Sequence, residues 1–285
     1  MKFKVILLVC AIAACAVTVE AKSNKRQPVV PQQVDTLVME SNNLPSAMKT
    51  IVVLPESYFA KGDTVHYPVV YLLNGYGGSC INWPSEIEPR LDSIASHYGM
   101  IFVCPSGMNS WYWDSPEHPE MKMETFITTE LVPAIDSLYR TNASATKRAI
   151  MGLSMGGHGA MWLAMRHPDI FSAAGSTSGG VDATSFPEKW SKKNWLGDYK
   201  ANPELWAAHS VINLVPDLKP GQLALIVDCG YDDFFFTDNN RFHQALMKHG
   251  IDHDFIVRPG EHNRPYWKKS LPYQLQFFST YFNKH

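Results

Sequence analysis

Short, unbroken apolar runs alternate along this chain with longer stretches whose apolar positions recur every three or four residues. The run at 69–73 is bounded by Pro68 and Asn74, and further runs fall at 100–104, 149–152, 173–177, 222–228 and 255–257. That pattern predicts strands buried on both faces of a parallel sheet. Helical spacing covers 85–98, 120–139, 157–166, 239–249 and 266–281. The first of these opens on Ser85-Glu86-Ile87-Glu88, which has the form of a capping box, and the third stops at His167-Pro168. Two further β segments fit within 34–54, around a turn at Asn42-Asn43-Leu44-Pro45. Strand and helix in such regular turn predict an α/β protein: a mostly parallel, doubly wound sheet with helices on both faces, in a single domain over 34–285.

Two regions break the rhythm. Residues 180–220 carry Trp190, Trp195 and Trp206 with several prolines and show no clean period. Insertions in such folds sit above the carboxyl ends of the strands, so a cap over a site is expected here, with an ordinary surface excursion as the alternative. At the N-terminus, Lys2 and Lys4 precede an apolar run to Val19, and Val19-Glu20-Ala21 supplies small residues for cleavage. Residues 1–21 are therefore expected to be an export signal, and the polar, Pro-rich 22–33 a linker. A competing signal, Ile12-Ala13-Ala14-Cys15, would leave a lipid anchor on Cys15. No later run is apolar and long enough to predict a membrane span.

Composition narrows the classes further. Lys plus Arg (25) nearly balances Asp plus Glu (27), for a net charge of −2, and no basic stripe interleaved with aromatics points to nucleic acid. Beyond the export signal, Cys80, Cys104 and Cys229 make no disulfide framework and have no metal-ligand spacing. They are expected to be buried small side chains, with one disulfide open to them in an oxidising compartment. His249 and His253 straddle a Gly-containing break and share no helical face, so neither metal nor another cofactor is expected.

The chemistry gathers at Gly152-Leu153-Ser154-Met155-Gly156. This G-x-S-x-G follows a predicted strand and opens a predicted helix, the setting in which a serine sits exposed on a strained elbow. A serine hydroxyl needs a general base, and the base an orienting acid, in the chain order Ser, acid, His on such a fold. The acid is expected in the turn after strand 222–228, where Asp228, Asp232 and Asp233 compete. Asp233 is favoured because it lies far enough round the turn to reach across. The base is His262, in a loop after the last strand, whereas His158 and His167 belong to the helix after the elbow and read as packing or capping residues. An acyl transition state also needs oxyanion donors. The amides of Met155 and of Tyr76, in the Gly-rich loop after strand 69–73, fill that need.

The segments "YPVVYLLNGYGG", "NSWYWDSP", "MGLSMGGHGA", "DCGYDDFF" and "PGEHNRPYW" together resemble an esterase family of the α/β-hydrolases. Its members include feruloyl and acetyl xylan esterases, tributyrin esterases, S-formylglutathione hydrolase and mycolyltransferases. The likeness runs from about Thr50 to the C-terminus. It implies the α/β-hydrolase fold, a triad of Ser154, Asp233 and His262, and an oxyanion hole of the Tyr76 and Met155 amides. Two positions depart from the pattern: Asn74, where many relatives have His, and Arg264, where relatives often have Trp. Trp83, Trp111, Tyr112 and Trp113 are expected to line the cleft, where aromatic walls suit a flat acyl group or a sugar ring. The expected function is a secreted serine carboxylesterase acting on acetyl or feruloyl esters of plant polysaccharides or their fragments. An acyltransferase to carbohydrate hydroxyls and a non-catalytic binding protein on the same scaffold are the alternatives.

Overall fold

The computed structural model describes residues 33–285 except Lys61 and Asp63. The expected export signal, Cys15 and all but the last residue of the expected linker lie outside the described residues. Eight strands form one sheet: β1 (Val34–Met39), β2 (Met48–Val53), β3 (Val69–Leu73), β4 (Ile101–Pro105), β5 (Arg148–Leu153), β6 (Ala173–Thr177), β7 (Ala224–Gly230) and β8 (His253–Arg258). Their order is β1-β2-β4-β3-β5-β6-β7-β8. β1 and β2 pair antiparallel, as do β2 and β4, and every later pair is parallel. The helices are α1 (Leu91–Tyr98), α2 (Met123–Thr125), α3 (Val132–Leu138), α4 (Met155–Arg166), α5 (Lys192–Leu196), α6 (Pro203–Ala208), α7 (Phe236–Lys248) and α8 (Arg264–Lys284). This is the α/β-hydrolase fold.

Strand β3 shows why the apolar runs are continuous. Val69, Tyr71 and Leu73 enter one hydrophobic core, while Val70 and Leu72 enter a second on the opposite face. Side chains alternate across a strand, so a strand covered on both sides needs apolar residues at every position. Register then aligns the carboxyl ends: Leu73 pairs with Gly152, Leu153 with Thr177, Thr177 with Asp228, and Gly230 with Arg258. The loops leaving β3, β5, β7 and β8 therefore emerge along one edge, near the point where strand order reverses beside β3. Such an edge is where open α/β sheets hold ligands.

One boundary differs from expectation. Ser85 caps no helix; residues Asn82–Ile87 form a π-helical turn closed by Glu88 N–H donating to the Trp83 carbonyl at 2.9 Å. Pro89 is the reason. It pushes Glu88 out of helical geometry (φ −137°, ψ 88°), and α1 starts only after it. The helix expected over 120–139 begins at Met123 and passes through a second π-helical turn, Phe126–Leu131. Cys80, Cys104 and Cys229 are buried free thiols. No helix among the described residues is long and apolar enough to cross a membrane.

Candidate active site

The chain reverses direction sharply after β5. Ser154 has φ 56° and ψ −120°, outside the regions a non-glycine residue favours, and α4 begins at the next residue. Such a conformation costs about 1–3 kcal/mol and persists only where its surroundings enforce it. Here Ser154 N–H donates to the Thr177 carbonyl at 3.0 Å, and the two motif glycines permit the fold-back. A Cβ on Gly152 would lie 2.3 Å from the Gly156 backbone, and one on Gly156 would lie 2.4 Å from the Leu73 carbonyl oxygen. Any side chain at either place would unfold the elbow.

His262 and Asp233 meet Ser154 from two neighbouring loops. His262 Nε2 lies 2.8 Å from Ser154 Oγ, and its Nδ1 lies 2.9 and 3.1 Å from the carboxylate oxygens of Asp233. The Nδ1–H tautomer satisfies both bonds: Nδ1 donates to Asp233, which leaves Nε2 to accept from the serine hydroxyl. Asp233 is buried, and its Oδ1 also accepts from Phe235 N–H at 2.8 Å, which fixes the carboxylate plane. Asn263 caps α8 through Tyr266 N–H at 3.1 Å, so His262 is held just ahead of a helix start. The other two acids are elsewhere. Asp228 is spent on Arg258, the Tyr266 hydroxyl (2.5 Å) and Ser270 (2.7 Å), and Asp232 is exposed.

The loop after β3 runs against the elbow. A Cβ on Gly75 would lie 3.4 Å from the Ser154 Cβ, and Tyr76 and Ser154 line the same cleft. Met155 contributes the first amide of α4, a position whose N–H has no partner within the helix. The loop is braced from beneath. Buried Asn74 accepts from Gly107 N–H at 2.8 Å and donates to the Gly75 carbonyl at 2.8 Å. The Tyr112 hydroxyl donates to the Asn74 carbonyl at 3.1 Å, and Gly77 N–H donates to Asn109 Oδ1 at 2.6 Å.

The aromatic expectation requires correction. Trp83, Trp111, Tyr112 and Trp113 are each no more than 1% exposed and do not line the cleft. Trp111 and Tyr112 have φ of 58° and 64°, left-handed backbone that turns their rings inward instead of toward the cleft. Trp111 and Trp113 stack on each other at 5.6 Å, and Trp83 donates its indole N–H to the Leu73 carbonyl at 2.9 Å. These residues are foundation for the site. His158 joins them in the core, its Nδ1 3.0 Å from the Gly180 carbonyl, and burial pushes its pKa down to about 3. His167 meets Glu124 at 2.7 Å.

The aromatics that do line the cleft are Tyr76, Trp190 and Trp267, around a volume of about 630 Å³ that also includes Asn82, Glu86, Asn263 and Arg264. Phe234 stacks on Trp190 (5.5 Å) and lies 4.3 Å from the His262 ring. Trp190 arrives from the aperiodic 180–220 region. That region is pinned by indole donors: Trp195 to the Asn109 carbonyl at 2.7 Å and Trp206 to the Gly197 carbonyl at 3.3 Å. Lys192 is buried below it among Trp111, Trp190 and Trp206, and donates to the carbonyls of Ala183 (2.8 Å) and Ser185. Burial pushes its pKa down to about 8, against the pull of Asp182 and Asp238. Trp190 belongs to the region expected as a cap and Trp267 ends the segment "PGEHNRPYW", but neither was expected to line the cleft.

The profile of the family described as "Putative esterase" matches residues 41–278. The chain belongs to this esterase family. Its activity is the hydrolysis of carboxylic esters. An acetyl esterase of Caldicellulosiruptor saccharolyticus is 26% identical over 240 residues, covering 79% of this chain and 88% of that protein. An endo-1,4-beta-xylanase/feruloyl esterase of Xylanibacter ruminicola is 33% identical over 147 residues, 48% of this chain, and the match spans only 20% of that longer protein. Among solved structures, a ferulic acid esterase superposes with a TM-score of 0.73 at 30% identity, over 87% of this chain and 98% of the other.

Proposed function

We propose that this esterase is an exported serine hydrolase that removes acetyl or feruloyl groups from plant polysaccharides or their fragments through an acyl-Ser154 intermediate. The observation that carries the reading is His262 spanning Ser154 and Asp233, at 2.8 and 2.9 Å, on the rim of an open cleft. His262 Nε2 takes the hydroxyl proton as Ser154 Oγ attacks the ester carbonyl carbon, while Asp233 holds the imidazole in the productive tautomer. The carbonyl oxygen becomes an oxyanion, to which the amides of Tyr76 and Met155 donate. Collapse breaks the bond to the alcohol, which leaves with the proton from His262. Water, deprotonated by His262, then attacks the acyl carbon and restores Ser154.

The substrate class draws on the relatives that bear acetyl esterase and feruloyl esterase names, and on a cleft with aromatic walls at Tyr76, Trp190 and Trp267. Export draws on residues 1–21 as a cleaved signal and 22–33 as a linker ahead of the domain at 34–285, with 180–220 as its cap. Export would bring the enzyme to polymers outside the cell. Cys15 as a lipid anchor is the competing form of the same export.

Intact-mass analysis of the protein mixed rapidly with methyl ferulate tests the mechanism. One feruloyl adduct is expected, on the peptide containing Ser154, followed by ferulic acid release. Product analysis with added xylo-oligosaccharide is expected to yield free acid. A new sugar ester would make the protein an acyltransferase, and turnover with the adduct on another residue would overturn the serine assignment.

A further inference from the structure

The lining of the cleft is part aromatic and part charged. Asn82 and Glu86 project from the π-helical turn after the Tyr76 loop, and Asn263 and Arg264 from the loop just past His262; all four line the cleft with Ser154. Arg264 Nη2 donates to Glu86 Oε2 at 2.7 Å, across 178 positions of sequence, and Asn82 Nδ2 donates to the same oxygen at 2.8 Å. We propose that Glu86 and Arg264 form the subsite for the alcohol half of the ester and that this subsite fits the neutral, vicinal hydroxyls of a sugar. The inference rests on the esterase reading above and adds which half of the substrate this wall holds.

Position supplies the first argument. His262 Nε2 must deliver a proton to the departing alkoxide, so the leaving group stands against His262. The residues that continue directly from His262 are Asn263 and Arg264. The alcohol therefore passes the guanidinium and the Glu86 carboxylate paired with it.

Chemistry supplies the second. Both bonds to Glu86 end on Oε2, which leaves Oε1 as an acceptor on a side chain 34% exposed. Arg264, with its side chain 61% exposed, uses one N–H of five on Glu86. An acceptor and a set of donors side by side are what two neighbouring hydroxyls require. An alkyl or aryl alcohol would cover the ion pair without offering either, at the cost of desolvating charged groups. Charge supplies the third argument. Glu86 already neutralises Arg264, so an anionic leaving group gains little there, and a neutral polyol is favoured. Asn82 is buried and acts as a positioning residue, holding the Glu86 carboxylate in place.

The rival reading is an exposed ion pair that contributes little to stability and has no part in binding. Arg264→Met, Glu86→Gln and the conservative Arg264→Lys separate the two. For each, kcat and KM are measured with an acetylated xylo-oligosaccharide and with p-nitrophenyl acetate, whose leaving group has no hydroxyl to offer once bound. The expected result for Arg264→Met is a drop of about tenfold in the ratio of kcat/KM for the sugar ester to that for the aryl ester, as for loss of one hydrogen bond to a charged group. The drop is expected in KM for the sugar ester, with partial recovery in Arg264→Lys. An unchanged ratio, whether both substrates suffer equally or neither does, would overturn the subsite, as would wild-type enzyme that turns over p-nitrophenyl acetate and ignores the acetylated sugar. Wild type inert toward both esters would instead overturn the esterase reading beneath it.

Discussion

Gly230 and Gly260 meet backbone to backbone, so closely that a Cβ on Gly230 would stand 2.2 Å from the Gly260 carbonyl oxygen. The contact joins the loop that carries Asp233 to the loop that carries His262. Tyr231 N–H donating to the Arg258 carbonyl and Asp232 N–H to the Gly260 carbonyl complete the seam, each at 3.1 Å. Gly230→Ala is expected to push the His262 loop aside. Overpacking of this kind costs about 1–3 kcal/mol, and a displacement of roughly 1 Å at a catalytic group can cost on the order of a hundredfold in rate. Thermal denaturation beside steady-state kinetics checks this; an undiminished kcat would mean the two loops adjust independently.

Two aspartates five residues apart are expected to fail differently. Asp233→Asn leaves the fold intact but favours the wrong imidazole tautomer, with kcat down by about 10⁴-fold. Asp228→Asn instead weakens a buried cluster and strands the charge of Arg258, whose side chain is 11% exposed. Breaking one side of a buried pair typically costs about 3–5 kcal/mol. Chemical denaturation is expected to register Asp228→Asn strongly and Asp233→Asn weakly, with the kinetic ranking reversed. Matching losses in both assays would dissolve the distinction.

Acid stability reports on His158. Burial holds its pKa near 3, against an ordinary value of 6.5, and the neutral ring faces Trp111 and Trp113, the Gly180 carbonyl, Lys192, His209 and Asp182. On acidification the unfolded chain takes up a proton at this residue that the native state refuses. The stability from neutral His158 is therefore full above about pH 6.5 and is lost as pH falls toward 3, at up to about 1.4 kcal/mol per pH unit. His158→Gln, which cannot titrate, is expected to flatten the slope of unfolding free energy against pH between 6.5 and 4. Parallel slopes for the two proteins would exclude this role.

Trp190 is one of three aromatics that line the cleft, and Phe234 backs it at 5.5 Å. Trp190→Ala removes that wall and is expected to raise KM for methyl ferulate at least about fivefold more than for p-nitrophenyl acetate, as a lost aromatic contact of about 1 kcal/mol would do. Equal changes for both esters would place the aryl group elsewhere in the cleft.

What could be read from the chain was what topology dictates. Apolar runs without alternation gave the buried strands, and the order of Ser154, Asp233 and His262 after three of those strands brought together the residues now found within hydrogen-bond reach. The cleft walls were not legible, because the direction of a loop side chain depends on backbone dihedrals that residue type does not reveal. Trp111 and Tyr112 in left-handed conformation point into the core, and the capping pattern at Ser85 yields to Pro89 three positions beyond Glu86. The 180–220 region has no period because its α-helices are only five and six residues long and it is held by indole hydrogen bonds. Arg264 stands out in the sequence as a departure from the family pattern, but nothing there pairs it with Glu86, 178 positions away.

Ser154 is the proposed nucleophile of this ester hydrolase. Hydrolysis of p-nitrophenyl acetate and methyl ferulate by the protein from Lys22 onward, beside its Ser154→Ala variant of equal thermal stability, tests it most directly. Turnover by the wild type with loss of about 10⁴-fold or more in the variant is the predicted result. A variant as active as the wild type would mean that Ser154 is not the nucleophile.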